Sequence, residues 1–339
     1  MMRSKRRVTL LVAMLVGIIW GPSALAEMAR LTPAEEKVFV GSPVDALNKP
    51  PCEGTTNAAT RYCRDPYSHL HTNEWHHHVW MPYIRGLRGG YVGVGADQGL
   101  SFVAAARSEL AWMVDYDPRV VALDRLHVFL IARSPTPADF LARWEQPARE
   151  GVLALIAQEA AAEHVKELKS TYRGVRRTMR THFRRVMRME KKQPFHWLHD
   201  TKGYAHIRML VRSGRVRVMA ADLLKEQGLR GIGAAAKALK VTVRVLYLSN
   251  AEDYWRYTPI FRTNMRGLPL DARSRVLRTR TDRKSHRLGR YQYVVQGGLD
   301  YQRKLGEKSM RGVWVMMREQ KPTKVEGVVT VGLGKESRE

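Results

Sequence analysis

Tyr91-Val92-Gly93-Val94-Gly95-Ala96-Asp97-Gln98-Gly99 is the stretch on which the fold turns. A short apolar run stops at glycines and passes at once into residues 100–110, an amphipathic stretch of helical spacing. A strand that ends on glycine and feeds a helix leaves backbone N–H groups and the positive helix end open to a polar ligand, with no side chain intervening. Gly93, Gly95 and Gly99 fit that arrangement.

Outward from this turn the pattern repeats. A second apolar run, 111–115, ends at Asp115, 20 residues after Gly95. An acid at that offset is placed to accept hydrogen bonds from ribose hydroxyls. Asp117-Pro118 then reads as a helix start, Asp as N-cap and Pro at the first helical position, with the helix running to about Ala132. A strand over 215–220 ends at Ala221-Asp222, a helix runs through about Lys240, and a strand over 241–248 ends at Ser249-Asn250. Apolar runs at 274–279, 291–296 and 312–317 supply the remaining strands. Alternating strands and helices imply an α/β fold with a mostly parallel sheet. The ordinary readings stand beside the functional ones: Asp115 as a strand end, Asp222 as a helix cap, Asn250 as a turn residue.

GYVGVGADQG, WMVDYDP, VMAADLL and VLYLSNAEDYW, taken together, resemble the successive strand-end motifs of class I S-adenosylmethionine-dependent methyltransferases. The second and fourth look closest to an uncharacterised family of exported methyltransferase-like proteins known from Leptospira and myxobacteria. The resemblance implies a Rossmann-like sheet of seven strands, the last antiparallel, over roughly 86–133 and 214–330. It implies S-adenosylmethionine as cofactor and a nucleoside-type ligand. Gly93 and Gly95 would approach the methionine part, Asp115 the ribose, Asp222 the adenine and Asn250 the reacting end, with Asp97 and Ser249 in the cofactor-binding group. The chain departs from the superfamily by lacking an acid just before the strand glycines and by carrying Asp97-Gln98 where small residues are usual. No methyl acceptor is implied, and transfer chemistry is left open.

The N-terminus carries Arg3, Lys5, Arg6 and Arg7, an apolar run of 13 residues over 8–20, and Ala24-Leu25-Ala26. This is the pattern of a signal peptide, 1–26, cleaved after Ala26; the run is shorter than the roughly 20 residues of a membrane span. The expected mature protein is exported, periplasmic or extracellular, with no transmembrane helix left after cleavage. Residues 27–85 are rich in Pro, Asn, Thr and His and read as an irregular segment packed on the domain. Cys52 and Cys63 are the two cysteines. An oxidising compartment would let them form a disulfide; zinc is the competing reading, although the pair lacks the short spacing of structural zinc sites.

Residues 134–213 read as a helical, basic insertion. Between Tyr172 and Lys191 a helical wheel sets Arg173, Arg176, Arg177, Arg180, Arg184 and Arg188 along one side, with Tyr172, Val175, Met179, Phe183 and Val186 on another. The formal charge of the chain is +26, so an anionic partner is expected. Envelope lipid or polysaccharide fits an exported protein. No nucleic-acid-binding signature accompanies the charge, and a plain solvated helix face is the alternative.

His69, His71, His76, His77 and His78 crowd around Glu74. Their spacing lacks His-Glu-x-x-His, so no metal is expected; stacking with Trp75 and Trp80, or lining the pocket mouth, is the favoured role. Gly-x-Ser-x-Gly is absent, which removes the main support for a hydrolase.

Overall fold

The computed structural model describes residues 29–47, 69–189, 195–286 and 288–333. The stretch 1–26 expected to be a signal peptide and the expected disulfide partners Cys52 and Cys63 lie outside the described residues. The strands are β1 Gly90–Val94, β2 Leu110–Asp115, β3 Val216–Ala220, β4 Val243–Tyr247, β5 Arg275–His286, β6 Gly289–Gly297, β7 Lys321–Pro322 and β8 Val328–Val331. They form one sheet in the order β3-β2-β1-β4-β5-β6-β8-β7. β1 to β5 are mutually parallel. β6 returns antiparallel to β5, β8 runs parallel to β6, and β7 is antiparallel to β8. The order reverses between β1 and β4, and open sheets of this kind bind ligands beyond the strand ends at such a switch point.

The helices are α1 Pro33–Gly41, α2 Met81–Ile84, α3 Gln98–Ala106, α4 Pro118–Ala132, α5 Pro137–Ala142, α6 Arg149–Glu159, α7 Ala162–Arg188, α8 Thr201–Arg212, α9 Gly228–Ala238, α10 Pro259–Gly267, α11 Gly298–Gly306 and α12 Val313–Met316. They cover both sheet faces. Tyr91, Met113, Val245 and Tyr293 face one core with α3, α4 and the helices of the insertion. Val92, Trp112, Val114, Leu246 and Val294 face the other, with α1 and α9 to α12. Burial on both faces explains why the central strands β1, β2 and β4 read as nearly continuous apolar runs.

Four expectations need correction. The sheet has eight strands among the described residues, and antiparallel pairing begins at β6 rather than at a last strand. The run 312–317 is helical: Val313, Met316 and Met317 are buried while Trp314 is 47% exposed, a spacing that short apolar runs share with strands. The helix after the glycine turn stops at Ala106, where Arg107 adopts a left-handed conformation, φ 54°, and caps it. The N-terminal segment is not wholly irregular, because Thr32 and Glu35 form a reciprocal capping box on α1. Phe39 of that helix packs on Trp112 with ring centroids 5.0 Å apart.

Between β2 and β3, α5 to α8 supply most of the described residues of 134–213. On α7 the buried side chains are Leu168, Tyr172, Val175, Met179, His182, Phe183 and Val186. Arg173, Arg177, Arg184 and Arg188 are exposed, and Arg176 and Arg180 half-buried. No helix among the described residues is long and apolar enough to cross a membrane.

Candidate functional site

A cleft of about 300 Å³ opens beyond the carboxyl ends of β1 to β4. Gly95, Asp115, Asp222, Ser249 and Asn250 all line it. Four successive strand ends thus deliver their polar groups to one space, at the low end of the volumes in which small molecules bind.

Gly95 has φ +84°, a region other residues reach only with strain, and a β-carbon there would overlap the Gln98 amide. Asp115 Oδ2 accepts from the Gly95 N–H at 2.9 Å and its Oδ1 from the Asp117 N–H at 2.8 Å. Burial pushes the Asp115 carboxyl up to about 7, against the pull of those two amides. Each oxygen has a further lone pair with which to meet a ligand hydroxyl. Asp222 Oδ1 accepts from the Leu224 N–H at 2.9 Å; burial raises its carboxyl as well. Asp45, from the N-terminal segment, braces this turn by accepting from the Asp222 and Gln227 N–H groups, each at 3.0 Å.

The cleft floor rests on Glu74. Its Oε2 accepts from the Tyr247 hydroxyl at 2.7 Å, its Oε1 from Ser249 and Thr279, each at 2.5 Å, and His77 lies 3.4 Å away. Burial alone would raise this carboxyl, but His77 and the hydroxyl donors outweigh it and hold the group below its ordinary range. Ser249 is thereby held at φ 51°, a strained conformation for a residue other than glycine. Asn250 precedes the one-turn segment Ala251–Tyr254, with its Nδ2 3.5 Å from the Tyr254 hydroxyl. Tyr116, Tyr254, Trp255 and Tyr291 add aromatic surface to the walls, and His69 and His71 line the mouth. Gln98, 5% exposed, also faces the cleft, and its Oε1 has no hydrogen-bond partner among the described residues.

Two expected cofactor residues are elsewhere. Gly93 is not in the lining, because the Tyr91 side chain folds over it and also closes on Gly99, whose β-carbon would sit 2.6 Å from the Tyr91 hydroxyl. Gly93→Ala is therefore expected to destabilise the fold by about 1–3 kcal/mol through overpacking, measured by urea unfolding. Tyr91→Phe in the same chain should recover part of the loss; no loss in the single variant would refute this packing role. Asp97 points away from the cleft toward His182 on α7 and His196 beyond it. Burial opposes its ionisation, yet these imidazoles hold its carboxyl well below the usual range.

Of the two tryptophans in the histidine-rich stretch, Trp80 takes a stacked histidine, while Trp75 lies under the Arg185 guanidinium. His77 lies on Trp80 with centroids 5.6 Å apart, and His71 on His182 at 4.6 Å. On α7, Arg184 is engaged by Glu145 at 2.6 Å and Arg176 by Gln146 at 2.5 Å. Sequence reasoning missed Asp45 and the four aromatic walls, noted Gln98 only as a departure from the superfamily pattern, and noticed Glu74 only as a neighbour of histidines. Apart from His77, nothing local marks Glu74, whose hydroxyl partners are 173 to 205 residues away.

A family model described as Domain of unknown function (DUF7790) matches residues 69–332. No curated protein matches. Two solved structures of the rRNA methyltransferase aviRa from Streptomyces viridochromogenes align with the chain. One has 13% identity and a TM-score of 0.27 over 58% of this chain and 67% of that one. The other has 12% identity and a TM-score of 0.28 over 75% and 84%. Likeness at this level says nothing about what this chain binds.

Proposed function

We propose the following for this chain, which belongs to the family described as Domain of unknown function (DUF7790): its cleft binds a nucleoside-type ligand, with S-adenosylmethionine the candidate cofactor, in a methyltransferase-like domain of an exported protein. The observation that carries the reading is the convergence of Gly95, Asp115, Asp222, Ser249 and Asn250 on one cleft at the sheet's switch point. In this reading the Gly95 turn and Gln98 meet the methionine part and Asp115 takes the ribose hydroxyls. Asp222 accepts from the adenine amino group, against aromatic walls suited to a flat base. Asn250 stands at the reacting end, and the acceptor of any transferred group is open.

Calorimetric titration and thermal shift of the purified chain with S-adenosylmethionine and S-adenosylhomocysteine test it. One saturable site per chain is expected, lost in Asp115→Ala. No binding of either compound sinks the proposal.

A second reading rests on α7. Its exposed Arg173, Arg177 and Arg188, in a chain of +26, suit a noncatalytic role in binding anionic envelope lipid or polysaccharide. Salt-sensitive sedimentation with anionic vesicles, lost when Arg173, Arg177 and Arg188 are neutralised, would favour it. Indifference to those changes would end it.

A further inference from the structure

Behind the glycine turn, on the side away from the cleft, the basic helix and the segment after it close on Asp97. Asp97 Oδ2 lies 3.4 Å from His182 Nε2 and 3.4 Å from His196 Nε2. One ligand atom from each of the three residues falls within 4.8 Å of the others. As N–H···O hydrogen bonds these separations are long, since good ones measure about 2.7–3.2 Å. As edges of a coordination shell they fit: bonds of about 2.0–2.2 Å in a tetrahedron set neighbouring ligand atoms about 3.3–3.6 Å apart.

The group is dry. The Asp97 and His182 side chains are 1% exposed and that of His196 is 15% exposed. The other polar atoms of the two buried side chains, Asp97 Oδ1 and His182 Nδ1, have no hydrogen-bond partner among the described residues, an unusual condition for buried polar atoms. A void of about 20 Å³ adjoins the two imidazoles, bordered by His182, His196 and His199 but not by Asp97, and it has room for one ion or one water.

We propose that Asp97, His182 and His196 form a binding site for a zinc-class divalent cation, with the remaining position taken by water or by His199. Two imidazoles and one carboxylate are a donor set for borderline ions rather than for calcium or magnesium. The ion ties the glycine turn, α7 and the segment beyond it, so its role is to pin the basic insertion against the turn that floors the cleft. The histidines of 69–78 are not its ligands; His71 backs the site by stacking on His182. One local change accompanies loading. The Leu198 N–H now donates to His196 Nδ1 at 3.2 Å, and ligation through Nε2 moves the ring proton to Nδ1, so the turn at 196–198 rotates that amide away.

The purified chain, stripped with chelator, is titrated with Zn²⁺ by calorimetry and with Co²⁺ by visible absorption. One ion per chain is expected, with the intense ligand-field bands of a tetrahedral Co²⁺ site and a rise in melting temperature. His196→Gln and Asp97→Asn should each weaken Zn²⁺ binding by about 100-fold or more, with melts in chelator confirming that the variant is folded. Loss in either folded variant is sufficient support. Cys52→Ser with Cys63→Ser, and His76→Ala with His78→Ala, should leave binding intact. No saturable binding, or binding unmoved by both His196→Gln and Asp97→Asn, overturns the site, and so does binding that disappears with the cysteines.

Discussion

Asp115→Asn is expected to stabilise the protein above pH 7 while removing its hold on a nucleoside. Asp115 is 8% exposed, and burial lifts its carboxyl to about 7, whereas in the unfolded chain it titrates near its ordinary value of about 3.9. Between those two values the folded state carries the extra proton. Stability due to this group is therefore greatest below about pH 4, falls as the pH rises, and reaches its lowest level above about pH 7. Three pH units correspond to at most about 4 kcal/mol. An amide carries no charge to desolvate, although its NH₂ must face one of the two backbone N–H donors now satisfied by the carboxylate, which returns part of the gain. A net stabilisation on the order of 1–3 kcal/mol at pH 8 is expected, with little difference at pH 4. Urea unfolding at the two pH values reads it out; parallel pH profiles for the two proteins would show that Asp115 is not the group responsible. In the unmutated chain, affinity for a ribose-bearing ligand should fall about tenfold for each unit below pH 7, because the protonated acid accepts poorly from hydroxyls.

Arg278→Met should lose about 3–5 kcal/mol of stability, the cost of leaving a buried partner charge uncompensated. Arg278 Nε lies 3.0 Å from Glu252 Oε2, with side chains 1% and 2% exposed. The guanidinium also donates to Gln296 Oε1 at 2.8 Å and lies over the Tyr301 ring. Glu252 Oε1 accepts from the Tyr257 and Tyr301 hydroxyls at 2.6 and 3.0 Å. Removing the cation alone strands this carboxylate in the core. The double variant Arg278→Met with Glu252→Gln should be more stable than Arg278→Met alone, because no unpaired charge remains. Strictly additive losses by denaturant unfolding would contradict the coupling. Glu252 belongs to the turn Ala251–Tyr254, and Asn250, Ala251 and Tyr254 line the cleft. The single variant should therefore also weaken ligand binding, although Arg278 touches no ligand surface.

What the sequence determined by itself was the part written in short range. Burial on both sheet faces makes the central strands largely apolar, so β1, β2 and β4 stood out as runs. Asp115 ends its strand and Asp222, Ser249 and Asn250 lie two or three residues past theirs, so their delivery to one edge followed from parallel pairing alone. The two sides of α7 were likewise legible, since helical spacing assigns faces without reference to anything distant.

Only the tertiary structure decided what depended on a distant partner. Gly93 and Gly95 share the spacing of a glycine turn, yet the Tyr91 ring lies across the first and leaves the second open. Asp97 sits two residues beyond Gly95 but belongs with His182, 85 residues away. Glu74 acquired its place beneath the cleft from hydroxyls on β4, β5 and the turn between them. Val313–Met316 became a helix because the core it meets is spaced every three to four residues. A side chain's partner across the fold is set by loop closure and packing, and neither leaves a mark in the residues next to it.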